Sequence, residues 1–135
     1  LKATRSSLQK LIDGARFVRA YGFRVATVGD GSCTLELPHR PILERPGGII
    51  NGPALMAAAD CAMWLAIKAR FGIDYDALTS ELNTVFLAPA KSEHVYCSAR
   101  IVKAGRRRIF GLAECHAKGG RLFTHHTLTY VRPED

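Results

Sequence analysis

One carboxylate stands alone on a run that is otherwise apolar. Residues 53–67 read Pro-Ala-Leu-Met-Ala-Ala-Ala-Asp-Cys-Ala-Met-Trp-Leu-Ala-Ile, and Asp60 is the only charge among them. A carboxylate beside Ala58, Ala59, Cys61, Met63 and Trp64 faces desolvation, which disfavours its charged form. Such a group can act as a general base near neutral pH or attack a carbonyl carbon. The alternative is a structural Asp, paired with an arginine or hydrogen-bonded across a dimer interface.

Just before the run stands Asn51-Gly52-Pro53. Asn is a favoured helix N-cap and Pro is tolerated in the first turn, so a helix starts here. Its first N–H groups and the positive end of its dipole face outward, where a developing oxyanion is well served. Pro53 has no N–H, which leaves the Gly52 N–H as the main donor. Asn51 can donate a neutral hydrogen bond but cannot titrate. Gly52 and Asp60 lie eight residues apart. Along one helix that is roughly 12 Å, too far for one reacting carbon to touch both. If both act, the donor of one subunit must meet the carboxylate of another, which predicts a dimer with two composite sites.

Thr79 offers a hydroxyl that could orient a water near Asp60, or it is a β-forming residue at a strand edge. Glu81 and Asn83 share its face by strand alternation and could line the site or an interface. Arg106-Arg107-Arg108 follow Gly105 at a turn. That cluster suits phosphates, or is a solvated basic hairpin tip. Arg45 and Lys91 are weaker candidates of the same kind. His125 and His126 are adjacent on a strand and point to opposite faces. His39, His94 and His116 show no ligand spacing, so no metal is expected. Cys33, Cys61, Cys97 and Cys115 form no Cys-x-x-Cys pair and read as buried free thiols in a reducing cytoplasm.

These residues need elements to position them. Leu8, Leu11, Ile12, Ala15 and Val18 follow helical spacing over residues 6–19, although Gly14 weakens it. Residues 21–28 and 32–37 read as a hairpin around Gly29-Asp30-Gly31. Three prolines and Gly47-Gly48 mark a loop over 39–48. A helix over 53–71 ends at Gly72. Four extended runs follow at 78–87, 95–103, 107–116 and 122–131, and their short breaks predict consecutive antiparallel neighbours. The helix shows no polar stripe and must be covered nearly all round. Six strands curved around it would do so.

Composition is that of an ordinary globular chain, with 47% hydrophobic and 23% charged residues over 135 positions, enough for one core. Lys and Arg exceed Asp and Glu to give +7. That balance favours anionic partners: nucleic acid, anionic lipid, or a phosphorylated molecule such as coenzyme A. No long apolar run follows Lys2, Arg5 and Lys10, so no secretory signal is expected. The run 53–67 is too short for a bilayer and carries Asp60, so no membrane span is expected either. The arginines are not interleaved with aromatic residues, which argues against nucleic acid.

The residues Arg45-Pro46-Gly47-Gly48-Ile49-Ile50-Asn51-Gly52-Pro53, then Leu55-Met56 and Ala59-Asp60, resemble the central-helix motif of PaaI-like thioesterases in the 4-hydroxybenzoyl-CoA thioesterase superfamily. Leu78-Thr79-Ser80-Glu81-Leu82-Asn83 with Phe86-Leu87-Ala88-Pro89-Ala90 resembles the strand after that helix, and Val102-Lys103-Ala104-Gly105-Arg106 the next turn. The resemblance covers the chain from about Tyr21 onward. It implies an α+β hotdog fold, a curved antiparallel six-stranded sheet wrapped around a central helix. The whole of 1–135 would be one such domain, with a leading helix in 1–20 and the central helix at 51–71. It also implies an acyl-CoA hydrolase with no metal, and no cofactor is expected beyond the coenzyme A of its substrate. The implied unit is a homodimer or a dimer of dimers. The family's acid falls on Asp60, its oxyanion amide on Gly52 and its water-positioning hydroxyl on Thr79. Asn51 departs from the family's frequent His. Short or medium acyl and aryl-acetyl groups all remain open as substrates. So do two other functions: a hotdog hydratase or dehydratase, and a non-catalytic acyl-CoA sensor.

Overall fold

A computed structural model describes residues 1–134. Helix α1 (Arg5–Gly14) opens on a reciprocal cap, in which Thr4 and Ser7 each accept the other's backbone N–H. The leading segment is two helices, not the one expected. Ala15 is extended (φ −91°, ψ 112°) directly after Gly14, and α2 (Arg16–Arg19) restarts the turn. Glycine costs a helix about 1 kcal/mol relative to alanine, and the break falls beside it. The Gln9 side chain accepts from Val25 N–H at 2.7 Å and donates to the Phe23 carbonyl at 3.2 Å. These bonds fasten α1 to strand β1 (Arg24–Gly29), which begins later than expected because Gly22 turns the chain at φ 71°.

Strand β2 (Ser32–Leu37) completes the hairpin. The stretch 39–48 is more ordered than a loop: a short 3-10 turn at Pro41–Leu43 leads into a two-residue ladder of β3 (Glu44–Arg45) and β4 (Ile49–Ile50). Gly47 and Gly48, both at positive φ, let so short a ladder close. Helix α3 (Gly52–Phe71) follows, then β5 (Leu78–Phe86), β6 (Val95–Ala104), β7 (Arg108–His116) and β8 (Leu122–Val131).

The six long strands run in the order β1-β2-β6-β7-β8-β5, every neighbouring pair antiparallel. The expectation of consecutive neighbours holds for β6-β7-β8 and fails for β5 and β6. β5 pairs with β8 at the sheet's edge, and the chain then crosses back to place β6 beside β2. Three strand spacings are about 14 Å, within reach of the extended residues between β5 and β6. Ile50 N–H to the Ala90 carbonyl (2.9 Å) and Ser92 N–H to the Gly48 carbonyl (3.2 Å) pin that crossover to the small ladder.

The sheet curves round α3, which touches all six strands. Alternating residues such as Cys33, Leu35, Cys97 and Ala99 are buried between sheet and helix. Close approach has a price at one point: a Cβ on Gly111 would lie 2.1 Å from the Met63 methyl, so β7 must carry glycine there. The arrangement is the hotdog fold. All four cysteines are free and buried in this core, and desolvation pushes the Cys33 thiol up to about 12. Among the described residues no helix is long and apolar enough to cross a membrane.

Candidate active site

Asp60 projects from α3 to the β5–β8 margin of the sheet. Its Oδ1 accepts two hydrogen bonds, from the Thr79 hydroxyl at 2.8 Å and from the Tyr130 hydroxyl at 2.6 Å. The Tyr130 hydroxyl also lies 2.8 Å from the Asp60 carbonyl oxygen. Thr79 on β5 and Tyr130 on β8 are direct cross-strand partners, so both point the same way, toward the helix. Oδ2 accepts nothing among the described residues and stays available for chemistry. Burial, and then the Asp60 charge, push the Tyr130 phenol well up, so it remains a neutral donor.

A bulge sets this geometry. Thr79 faces Tyr130, but Glu81 faces Thr129. One extra residue, Ser80, therefore reverses the alternation. Glu81 and Asn83 lie on the face opposite Thr79, against the expectation that the three share one. Asn83 instead donates to Thr127 at 3.5 Å on that far face.

Asp60 lines a cavity of about 370 Å³ with Phe17, Tyr21, Trp64, Asp76 and Tyr130 around it. Phe17 meets Trp64 edge to face, centroids 5.4 Å apart. The leading segment thus walls the cavity. Tyr130 and Phe17 carry no signal in the sequence: Tyr130 is one residue of an extended run, and Phe17 lies in α2, where nothing ties it to Asp60. Tyr130→Phe is nearly isosteric and removes one bond to a carboxylate. It is expected to lower the unfolding free energy by about 1.5–3 kcal/mol in urea denaturation; a change under about 0.5 kcal/mol would show the bond to be idle.

Gly52 stands elsewhere. The Asn51 side chain caps α3, accepting from Ala54 N–H at 2.8 Å and donating to the Leu43 carbonyl at 2.7 Å. Both of its polar ends are thereby used in holding the helix start. The Gly52 N–H has no acceptor among the described residues. It lines a second cavity of about 350 Å³ with Arg45, Ile50, Phe86 and Pro89. A Cβ on Gly52 would come 3.1 Å from the Phe86 ring, so β5 closes over the helix start. Asp60 and Gly52 open into different cavities of the one chain.

Arg106, Arg107 and Arg108 are exposed at the β6–β7 turn. Arg108 pairs with Val131, and Val131 with Leu78 of the Asp60 cavity, so the cluster shares that end of the sheet. The histidines are occupied elsewhere: buried His126 bonds Thr84 and Thr124, while His125, on the other face, bonds Glu114. Among the described residues no group of three or more His, Cys, Asp or Glu is placed to hold a metal ion.

The model of the thioesterase superfamily matches residues 47–124, which span the helix start, Asp60, Thr79 and the cationic turn. A Thermoplasma acidophilum protein provisionally named an esterase is 29% identical over 99 residues, covering 73% of this chain and 74% of its own. Among solved structures, a thioesterase of Haemophilus influenzae superposes with a TM-score of 0.87 at 19% identity, covering 97% of this chain and 91% of its own. A point mutant of the phenylacetic acid degradation protein PaaI from Thermus thermophilus superposes at 0.79 with 24% identity, covering 88% and 100%.

Proposed function

The chain belongs to the thioesterase superfamily, and from that premise we propose that it hydrolyses acyl-CoA thioesters of short or medium acyl chains or of aryl-acetyl groups. The observation that carries this reading is the Asp60 carboxylate, with Oδ1 held by two hydroxyls and Oδ2 unpartnered, lining a largely apolar cavity. In this reading Oδ2 takes a proton from a water as that water attacks the thioester carbonyl. The oxyanion forms against a Gly52 N–H. The C–S bond then breaks and the thiolate of coenzyme A leaves with the proton. Thr79 and Tyr130 keep Asp60 aimed, and Asn51 aims Gly52 by fixing the helix start. Water is the only co-reactant, and no metal or separate cofactor enters.

The two halves come together through a second copy of the chain. β5 is an edge strand, and Leu78, Val85, Phe86 and Leu87 along and beyond it are exposed. An unpaired edge with apolar residues is a pairing surface. Thr79 bonds Asp60 at one end of β5, while Phe86 covers Gly52 at the other. Antiparallel pairing of two β5 strands about an axis near Leu82 and Asn83 sets each Gly52 end against the partner's Asp60 end. The homodimer so formed has two composite sites; a dimer of dimers would repeat them. Arg106, Arg107 and Arg108 then serve the phosphates of coenzyme A from the rim.

A panel of acyl-CoA thioesters with thiol-release detection tests the reading. Turnover of at least one short, medium or aryl-acetyl thioester is expected. Binding of these thioesters without release of thiol would make the protein a sensor instead.

A further inference from the structure

The Asp60 cavity carries a charge that the chemistry at Asp60 does not use. Asp76, just after α3, lines the same space. It is exposed and makes no hydrogen bond or ion pair among the described residues. No lysine, arginine or histidine lines the cavity among the described residues, although the chain as a whole is at +7. Four of its lining residues are aromatic: Phe17, Tyr21, Trp64 and Tyr130, whose hydroxyl is already committed to Asp60. Behind the Trp64 wall stands Lys68, whose ammonium is spent on the Ile73 and Tyr75 carbonyls at 2.8 and 2.7 Å and lies 5.1 Å from the Trp64 ring centre. Asp74 and Asp76 both act on that ammonium. Two carboxylates, Asp60 and Asp76, therefore line this space, and no cation does among the described residues.

A negative, aromatic-walled cavity ranks ligands by charge. Ring faces and carboxylates attract a cation, accept a neutral group, and repel a carboxylate. Resting on the thioesterase reading, we infer that Asp76 is a specificity-determining residue that filters the acyl group by charge. Acyl groups with a cationic or neutral far end are accepted, and ω-carboxyacyl groups are turned away. Phe17, Tyr21 and Trp64 supply the surface on which the accepted end rests.

The test uses three CoA thioesters of equal chain length: hexanoyl, 6-(trimethylammonio)hexanoyl and adipoyl. The quaternary nitrogen cannot attack its own thioester. Matching ketone analogues, with methylene in place of sulfur, bind but cannot be hydrolysed. The expected order of affinity and of kcat/KM is trimethylammonio, hexanoyl, adipoyl. The ends of that series should differ by on the order of tenfold, and salt should narrow the gap. Asp76→Asn should compress the series and Asp76→Lys should invert it. A general loss of structure would lower all three together and leave their ratios alone. Equal affinities, an order left unchanged by Asp76→Asn or Asp76→Lys in a protein that still melts cooperatively, or no binding of any ketone analogue to the unsubstituted protein would overturn the filter. If the ketone analogues show the order but no thioester releases thiol, the filter stands and the hydrolase reading falls.

Discussion

Asp60→Asn is expected to lower kcat for thioester hydrolysis by on the order of 10³-fold, the usual worth of a positioned general base or nucleophile. Asparagine keeps the size and planarity of aspartate. Its amide oxygen can still accept from the Thr79 and Tyr130 hydroxyls that now bond Oδ1. Its other atom is an NH₂, which can neither take a proton from water nor attack a carbonyl carbon. The fold should survive, because the substitution exchanges one hydrogen-bond acceptor for another. Binding of the ketone analogues should persist, so KM changes far less than kcat. Stopped turnover with intact binding and a cooperative melt is the predicted combination. Turnover equal to that of the unsubstituted protein would remove Asp60 from the chemistry.

The second large effect concerns β5. Asn83 lies near the axis about which two β5 strands are proposed to pair, so a charge placed there meets its own copy. Asn83→Glu combined with Val85→Glu adds like charges beside Glu81 along the edge and removes one of its exposed apolar residues. Sedimentation should then report a monomer. Hydrolysis should fall by about 10²–10³-fold, the cost of losing an oxyanion donor. Neither residue touches Asp60, and Asn83 points to the face away from it. The loss of activity would therefore come from the missing partner and not from damage to the cavity. A monomer that hydrolyses thioesters at the original rate would show that one chain suffices.

The sequence and the fold agree most closely where a demand is local. An apolar run without a polar stripe had to be a covered helix, and Asn51-Gly52-Pro53 had to start it. α3 begins at Gly52 with Asn51 as its cap. The family resemblance was carried by these same residues. What stayed hidden depends on pairing between distant segments. Nothing near residue 90 says that the chain passes β7 and β8 before pairing again with β2. The bulge at Ser80 has no glycine or proline to mark it. It nonetheless decides that Thr79 faces Asp60 while Glu81 and Asn83 do not. Nothing in the run 122–131 singles out Tyr130, and only the register with Thr79 brings its hydroxyl to the carboxylate. The division of the leading helix at Ala15 was foreshadowed by Gly14. Its consequence, that α2 lends Phe17 to the cavity wall, needed the tertiary structure.

The central claim is that each site takes Asp60 from one chain and the Gly52 N–H from another, and subunit complementation tests it most directly. Gly52→Pro removes the donor at a position where proline is favoured, and Asn51 already has the extended backbone (φ −65°, ψ 145°) that a following proline requires; the Phe86 ring, 3.1 Å from where its Cβ would stand, has to shift slightly to admit it. The Asp60→Asn and Gly52→Pro proteins should each be nearly inactive alone. Unfolded together and refolded at equal amounts, half of the dimers should be mixed, each with one site intact, restoring about a quarter of the original activity. Recovery near that level, carried by the doubly tagged heterodimer, is the predicted result. A mixture no more active than the sum of its parents would contradict a shared site.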